Sequence, residues 1–162
     1  MATAIFAPAQ FESEGKLNTW TTEKVQRNDE TDDYASGICK IRVSQNKGFD
    51  RVVFEFDSGK ATWVLQYLPS NIYSTDGGDK EIKIAGNYFL MLNIYGFAVG
   101  DEMPCKLKSY PKNRLKFPTL MQIKQGSWFE GILDFLIGVK DKKPFRVQEL
   151  QNPSRVVIDF KH

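Results

Sequence analysis

Between Ile38 and Phe160, apolar and polar residues alternate in short runs broken by Gly, Pro, Asn and Asp. Alternation of period two marks a strand with one buried face, because successive side chains leave opposite sides of an extended backbone. Residues 38–43 read this way, and residues 49–56 do so more strongly, with Val52, Phe54 and Phe56 on one face. Residues 62–67 follow Ser58-Gly59-Lys60, whose composition predicts a hairpin turn. A turn at Asp76-Gly77-Gly78-Asp79 leads into residues 81–84, where Ile82 and Ile84 point one way. Residues 88–95 are nearly continuous in apolar side chains, as expected of a central strand covered on both faces. Residues 120–124, 128–137, 145–150 and 155–160 complete the strands, and residues 100–118, with three prolines, read as a long loop with room for one edge strand. No stretch of ten residues keeps helical spacing. Strands at this spacing predict an all-β domain, a sandwich or a barrel.

Residues 1–37 differ. From Phe11 to Gly37 the chain is polar and acid-rich and holds no sustained period, which predicts a partly flexible N-terminal extension ahead of a domain at 38–162. Phe6, Phe11, Leu17, Trp20 and Val25 are too apolar for a pure linker, so part of the extension is expected to dock on the domain.

One hexapeptide recurs. Residues 51–56 read Arg-Val-Val-Phe-Glu-Phe and residues 155–160 read Arg-Val-Val-Ile-Asp-Phe, each after a turn-like element. On a strand, Arg51, Val53 and Glu55 share a face, as do Arg155, Val157 and Asp159, while the opposite faces are wholly apolar. The stretch Gly48-Phe49-Asp50-Arg51-Val52-Val53-Phe54-Glu55-Phe56, with the closing segment from Lys143 to Phe160, resembles the opening and closing motifs of the AMIN-like domain family. Ala85-Gly86-Asn87-Tyr88-Phe89-Leu90 resembles that family's central strand, and Phe129-Glu130-Gly131 with Leu136-Ile137-Gly138-Val139 its penultimate hairpin. Coverage is about residues 38–162. The resemblance implies an antiparallel β-sandwich of short strands, exported to the cell envelope as a secreted protein or lipoprotein. Its implied work is to bind peptidoglycan or an envelope protein partner. No attached catalytic domain accompanies these motifs. The chain's start, MATAIFAPAQ, does not read as a signal leader.

Composition sharpens this reading in three places. Twelve Phe, six Tyr and three Trp among 162 residues favour strands and contact surfaces. A net charge of +2 from 22 basic and 20 acidic side chains argues against nucleic acid as partner. The densest basic stretch, residues 106–116 (KLKSYPKNRLK), reads as a solvated loop or, as a sharper alternative, as a patch for an anionic polymer or lipid headgroups. Cys39 and Cys105 allow one disulfide or two buried thiols, and no stretch approaches the ~20 apolar residues of a transmembrane span.

Catalytic machinery is not legible. The one histidine is the last residue, His162, so Ser-His and Cys-His arrangements lack a base, and no P-loop, Rossmann fingerprint, metal cluster or cofactor motif is present. Glu55 and Asp159 would resemble a glycosidase pair only if their strands brought them together. The expectation is a non-catalytic binding module, the alternative a protein-interaction scaffold using a sheet edge or an aromatic face. The candidate ligand-binding residues are Arg51 and Arg155, for their guanidinium geometry, and Trp63 and Tyr67, as aromatics of one strand parity beside the first motif. Tyr73 and Trp128 are further aromatic candidates.

Overall fold

A computed structural model describes residues 17–28, 35, 37–70, 72–74, 80–96, 105 and 107–162. Among them run β1 (Val25–Arg27), β2 (Ile38–Asn46), β3 (Phe49–Phe56), β4 (Thr62–Leu68), β5 (Ile72–Ser74), β6 (Glu81–Lys83), β7 (Tyr88–Tyr95), β8 (Leu120–Phe129), β9 (Ile132–Val139), β10 (Phe145–Leu150) and β11 (Arg155–Lys161), and no described residue is helical. Every pairing is antiparallel. A four-stranded sheet in the order β10-β11-β3-β2 packs on a five-stranded sheet in the order β1-β4-β7-β9-β8, with β5-β6 as a separate ribbon. Of the two all-β architectures that the alternation left open, the fold is the sandwich, as the resemblance implied.

The two copies of the hexapeptide are neighbours. β3 and β11 pair with Val52 opposite Ile158 and Phe54 opposite Val156, so their apolar faces form one surface. That surface meets Trp63 and Leu65 of β4, Leu90, Leu92 and Ile94 of β7, and Phe135 and Ile137 of β9, all fully buried. Phe54 and Phe135 touch edge to face across the interface, with ring centroids 5.2 Å apart. A second, smaller cluster lies on the outer side of the five-stranded sheet, where Ile84, Phe89 and Leu136 are covered by Tyr73 and Ile82 of the β5-β6 ribbon. This makes β9 a strand buried on both faces. Residues 85–87 lie flat against its end: a Cβ on Gly138 would sit 1.9 Å from the Ala85 carbonyl oxygen, so only glycine fits.

Buried polar contacts fix how the sheets sit. Asp50, at the start of β3, is wholly buried. Its Oδ2 accepts the backbone amides of Thr119 (2.7 Å) and Leu120 (2.9 Å), which open β8 in the opposite sheet. Nε2 of His162 lies 2.9 Å from its Oδ1, and Thr119 Oγ1 donates to the Lys161 carbonyl. Cys39 and Cys105 form a disulfide that closes 66 residues of sequence, a constraint worth about 4 kcal/mol on loop-entropy grounds. The segment at 17–28 joins both sheets: Thr21 exchanges two backbone hydrogen bonds with Phe145 on β10, and Val25–Arg27 then pairs with β4.

Four local expectations are corrected. Ser58-Gly59-Lys60 does not close a hairpin, because the chain there leaves one sheet for the other and β3 and β4 do not pair with each other. Residues 128–137 are two strands, reversed at Glu130 and Gly131, both at positive φ. Among residues 107–118 there is no edge strand, while β1 and β5, of three residues each, are too short for periodicity to detect. The turn read at residues 76–79, and Phe6 and Phe11, lie outside the described residues.

Two stability measurements check this packing. Phe54→Ala and Ile158→Ala should each lower the unfolding free energy by about 2–5 kcal/mol, since both side chains are fully enclosed. Unchanged denaturant midpoints would show that the faces are assigned backwards. Asp50→Asn should cost about 3 kcal/mol, because the amide group cannot accept both backbone N–H groups through a charged oxygen. A midpoint within error of the parent protein would remove Asp50 from its anchoring role.

Candidate functional site

On the outer face of the four-stranded sheet, antiparallel register sets the side chains in rows. Asp159 stands between Arg146 of β10 and Arg51 of β3, and Glu55 between Arg155 of β11 and Lys40 of β2. With Arg42 and Lys161, also outward-facing by strand parity, six cations share this face with two carboxylates. The alternation of β3 and β11 dictates this: their apolar positions are spent on the core, so arginine and acid are left outside.

Asp159 has no exposed side-chain surface. Arg51 Nε and Nη2 donate to its two oxygens at 2.6 and 2.9 Å, and Arg146 Nε donates to Oδ2 at 2.8 Å. The hydrogen bonds that Arg51 donates to Asp159 raise its pKa, against the opposing effect of burial. Aromatic rings cover both guanidinium groups. Arg51 lies 5.1 Å from the Phe49 ring centroid, while Arg146 lies 4.7 Å from that of Trp20 and 5.4 Å from that of Phe49. Glu55 is held by Arg42 at 3.0 Å and by Lys40 at 3.8 Å. The Arg42 side chain is 51% exposed, and Arg155 binds the carbonyls of Pro153 and Gln151 near the sheet's end.

The four candidate residues therefore divide. Arg51 and Arg155 share the arginine face, four residues apart along their paired strands. Trp63 and Tyr67 do not join them: β4 belongs to the other sheet and turns both toward the interior. Trp63 is fully buried and its indole N–H donates to Glu149 Oε1 at 2.8 Å, so it offers a ligand no surface. Tyr67 is half-buried against Phe145 and donates its hydroxyl to the Lys143 carbonyl at 2.6 Å. Large aromatics pack where area can be hidden, and strand parity alone does not say which sheet a strand joins.

The aromatics of the arginine face are Trp20 and Phe49 instead. Trp20 carried an apolar signal in the extension, but its partner Arg146 became identifiable only through the β10-β11 register. Elsewhere, Tyr73 lies in a polar cluster, donating to Asp134 at 2.6 Å beside Ser127 and Asn93. Burial, with the hydrogen bond to Asp134, raises its pKa. Trp128 and Phe129 are exposed near the β8-β9 turn.

The two carboxylates of this face do not face each other. Glu55 and Asp159 sit in opposite rows, ~13 Å apart at about 3.3 Å per residue, beyond the spacing of glycosidase carboxylates. Each is already matched by cations. Among the described residues no group of three or more His, Cys, Asp or Glu is placed to hold a metal ion.

The family model described as the AMIN-like domain matches residues 36–162. No curated protein matches the chain.

Tyr67 gives a pH-dependent signature. Burial pushes its phenol up to about 12, with the hydrogen bond to Lys143 opposing. A phenol raised in the fold contributes stability that is complete below the unfolded value of about 10 and is lost as pH rises through about 12. Phenolate absorbance should therefore show a late-titrating group that Tyr67→Phe removes. Ordinary titration of every tyrosine in the parent protein would contradict the enclosed position of Tyr67.

Proposed function

We propose, because this chain belongs to the AMIN-like domain family, that it is a non-catalytic binding module of the cell envelope whose arginine face contacts peptidoglycan. The observation that carries the reading is the concentration of six cations and two aromatic rings on one face of the sandwich. Guanidinium groups present paired donors that match carboxylates, and peptide stems of the wall polymer supply carboxylates. Trp20 and Phe49 offer ring surface for the apolar faces of sugars. Within this face the roles differ. Arg51 and Arg146 are committed to Asp159 and hold the surface in shape, whereas Arg42, whose side chain is half exposed, and Arg155, which binds backbone carbonyls, stand at its margins.

Family membership supports an extracytoplasmic setting, and the Cys39–Cys105 disulfide agrees with it, since such bonds persist in oxidising compartments. No helix among the described residues is long and apolar enough to cross a membrane. A second reading, docking of an envelope protein, is favoured by Trp128 and Phe129, which stand exposed on β8 at the edge of its sheet.

Sedimentation with purified sacculi separates the two. Arg42→Ala combined with Arg155→Ala should weaken binding about ten-fold with the thermal midpoint unchanged, while Phe129→Ala should bind like the parent protein. Loss in Phe129→Ala with retention in the arginine variant would move the contact surface to the β8 edge. Failure of the parent protein to sediment would end the peptidoglycan reading.

A further inference from the structure

The basic stretch of the sequence finds a structural context away from the arginine face. An open groove of about 700 Å³ runs between the β5-β6 ribbon and the loop at 110–113, with β8 between them. Lys80 and Lys83 come from the ribbon side, Lys112 and Asn113 from the loop, and Lys124 and Gln125 from β8. Among the described residues, one acid, Glu81, stands against these four lysines.

The walls are held in place. The Gln122 side chain bridges them, accepting the Ala85 amide at 2.9 Å and donating to the Lys112 carbonyl at 2.8 Å. Lys124 Nζ donates to the Lys83 carbonyl, and the Tyr110 hydroxyl accepts the Gln125 amide while its ring packs edge-on to buried Phe135. The groove is therefore a fixed shape lined with ammonium groups, carboxamides and one phenol ring.

We propose that this groove binds a linear anionic polymer of sugar or polyol units, each repeat carrying a carboxylate or a phosphodiester group. Lysines on both walls suit charge repeated along a chain, and an open groove admits a polymer without free ends. Asn113 and Gln125 supply the hydrogen bonds that hydroxyl-bearing units require. Among the described residues, none of the large exposed apolar side chains, Ile72, Tyr88, Trp128, Phe129 and Leu150, lines the groove, which disfavours insertion into a lipid surface. A single tyrosine does not make the stacking platform of a single-stranded nucleic-acid site.

Titration of the whole chain at low salt with oligogalacturonate and with glycerol-phosphate oligomers tests this, beside a neutral cellodextrin and phosphatidylglycerol vesicles. Binding to at least one polyanion is expected, falling steeply as salt is raised, with none to the cellodextrin. Lys80→Gln combined with Lys112→Gln should weaken it about ten-fold at an unchanged thermal midpoint, because both side chains are exposed. Arg42→Ala with Arg155→Ala should bind as the parent does, so the result stands apart from the sacculus assay. No binding to either polyanion, equal binding by the lysine variant, equal loss in the arginine variant, or tighter binding to vesicles than to either polymer would overturn the proposal.

Discussion

Two sheets with apolar inner faces can slide over one another unless something directional pins them, and here the pin is a buried carboxylate. Asp50 is wholly buried yet accepts two backbone amides from the start of β8, so the start of β3 in one sheet is tied to the start of an edge strand of the other. Leaving those amides unpaired in the interior would cost about 1–3 kcal/mol each, and leaving the carboxylate unpaired would cost more. Only one offset between the sheets avoids both penalties. That offset brings Phe54 against Phe135 and places the chain's last residue, His162, beside the same carboxylate.

The open side of the sandwich is closed by a related device. β4 and β10 stand at corresponding margins of the two sheets, and Trp63 and Tyr67 reach across the gap to Glu149 and to the Lys143 carbonyl. The N-terminal segment then runs over that margin, bonding to β10 at Thr21 and to β4 through β1. An aromatic with one polar atom suits such a seam, because its ring fills the interior while the donor satisfies an acceptor at the rim. The same segment delivers Trp20 onto Arg146, so the order of the arginine face depends on residues ahead of the repeated motif.

What the sequence disclosed follows from what periodicity encodes. Period two reports which residues share a face, and it separated Val52, Phe54 and Phe56 from Arg51, Val53 and Glu55 correctly. It carries no information on which strands pair, and so it set Trp63 beside the first motif although β4 lies in the opposite sheet. The hexapeptide did better because similar amphipathic strands make similar neighbours, and Arg51 came to lie opposite Asp159. Asp50 falls within the strand predicted at residues 49–56, yet nothing marks it as an anchor, since a buried acid at the head of a strand looks no different in sequence from a solvated one. Its role depends on amides 69 and 70 residues away.

The two cationic surfaces differ in chemistry as well as place. Arginines dominate the sheet face, where pleating fixes their spacing and where Asp159 with the Phe49 and Trp20 rings orients Arg51 and Arg146. Lysines dominate the groove, on flexible stems with compact, strongly hydrated charges. A planar donor pair discriminates by geometry and is tuned to individual carboxylates, whereas a set of ammonium groups responds to charge density and is screened by salt. A wall polymer with discrete peptide carboxylates and a chain with charge on every repeat are different recognition problems. A sandwich whose main core lies between its sheets leaves its outer surfaces free to carry both kinds of side chain.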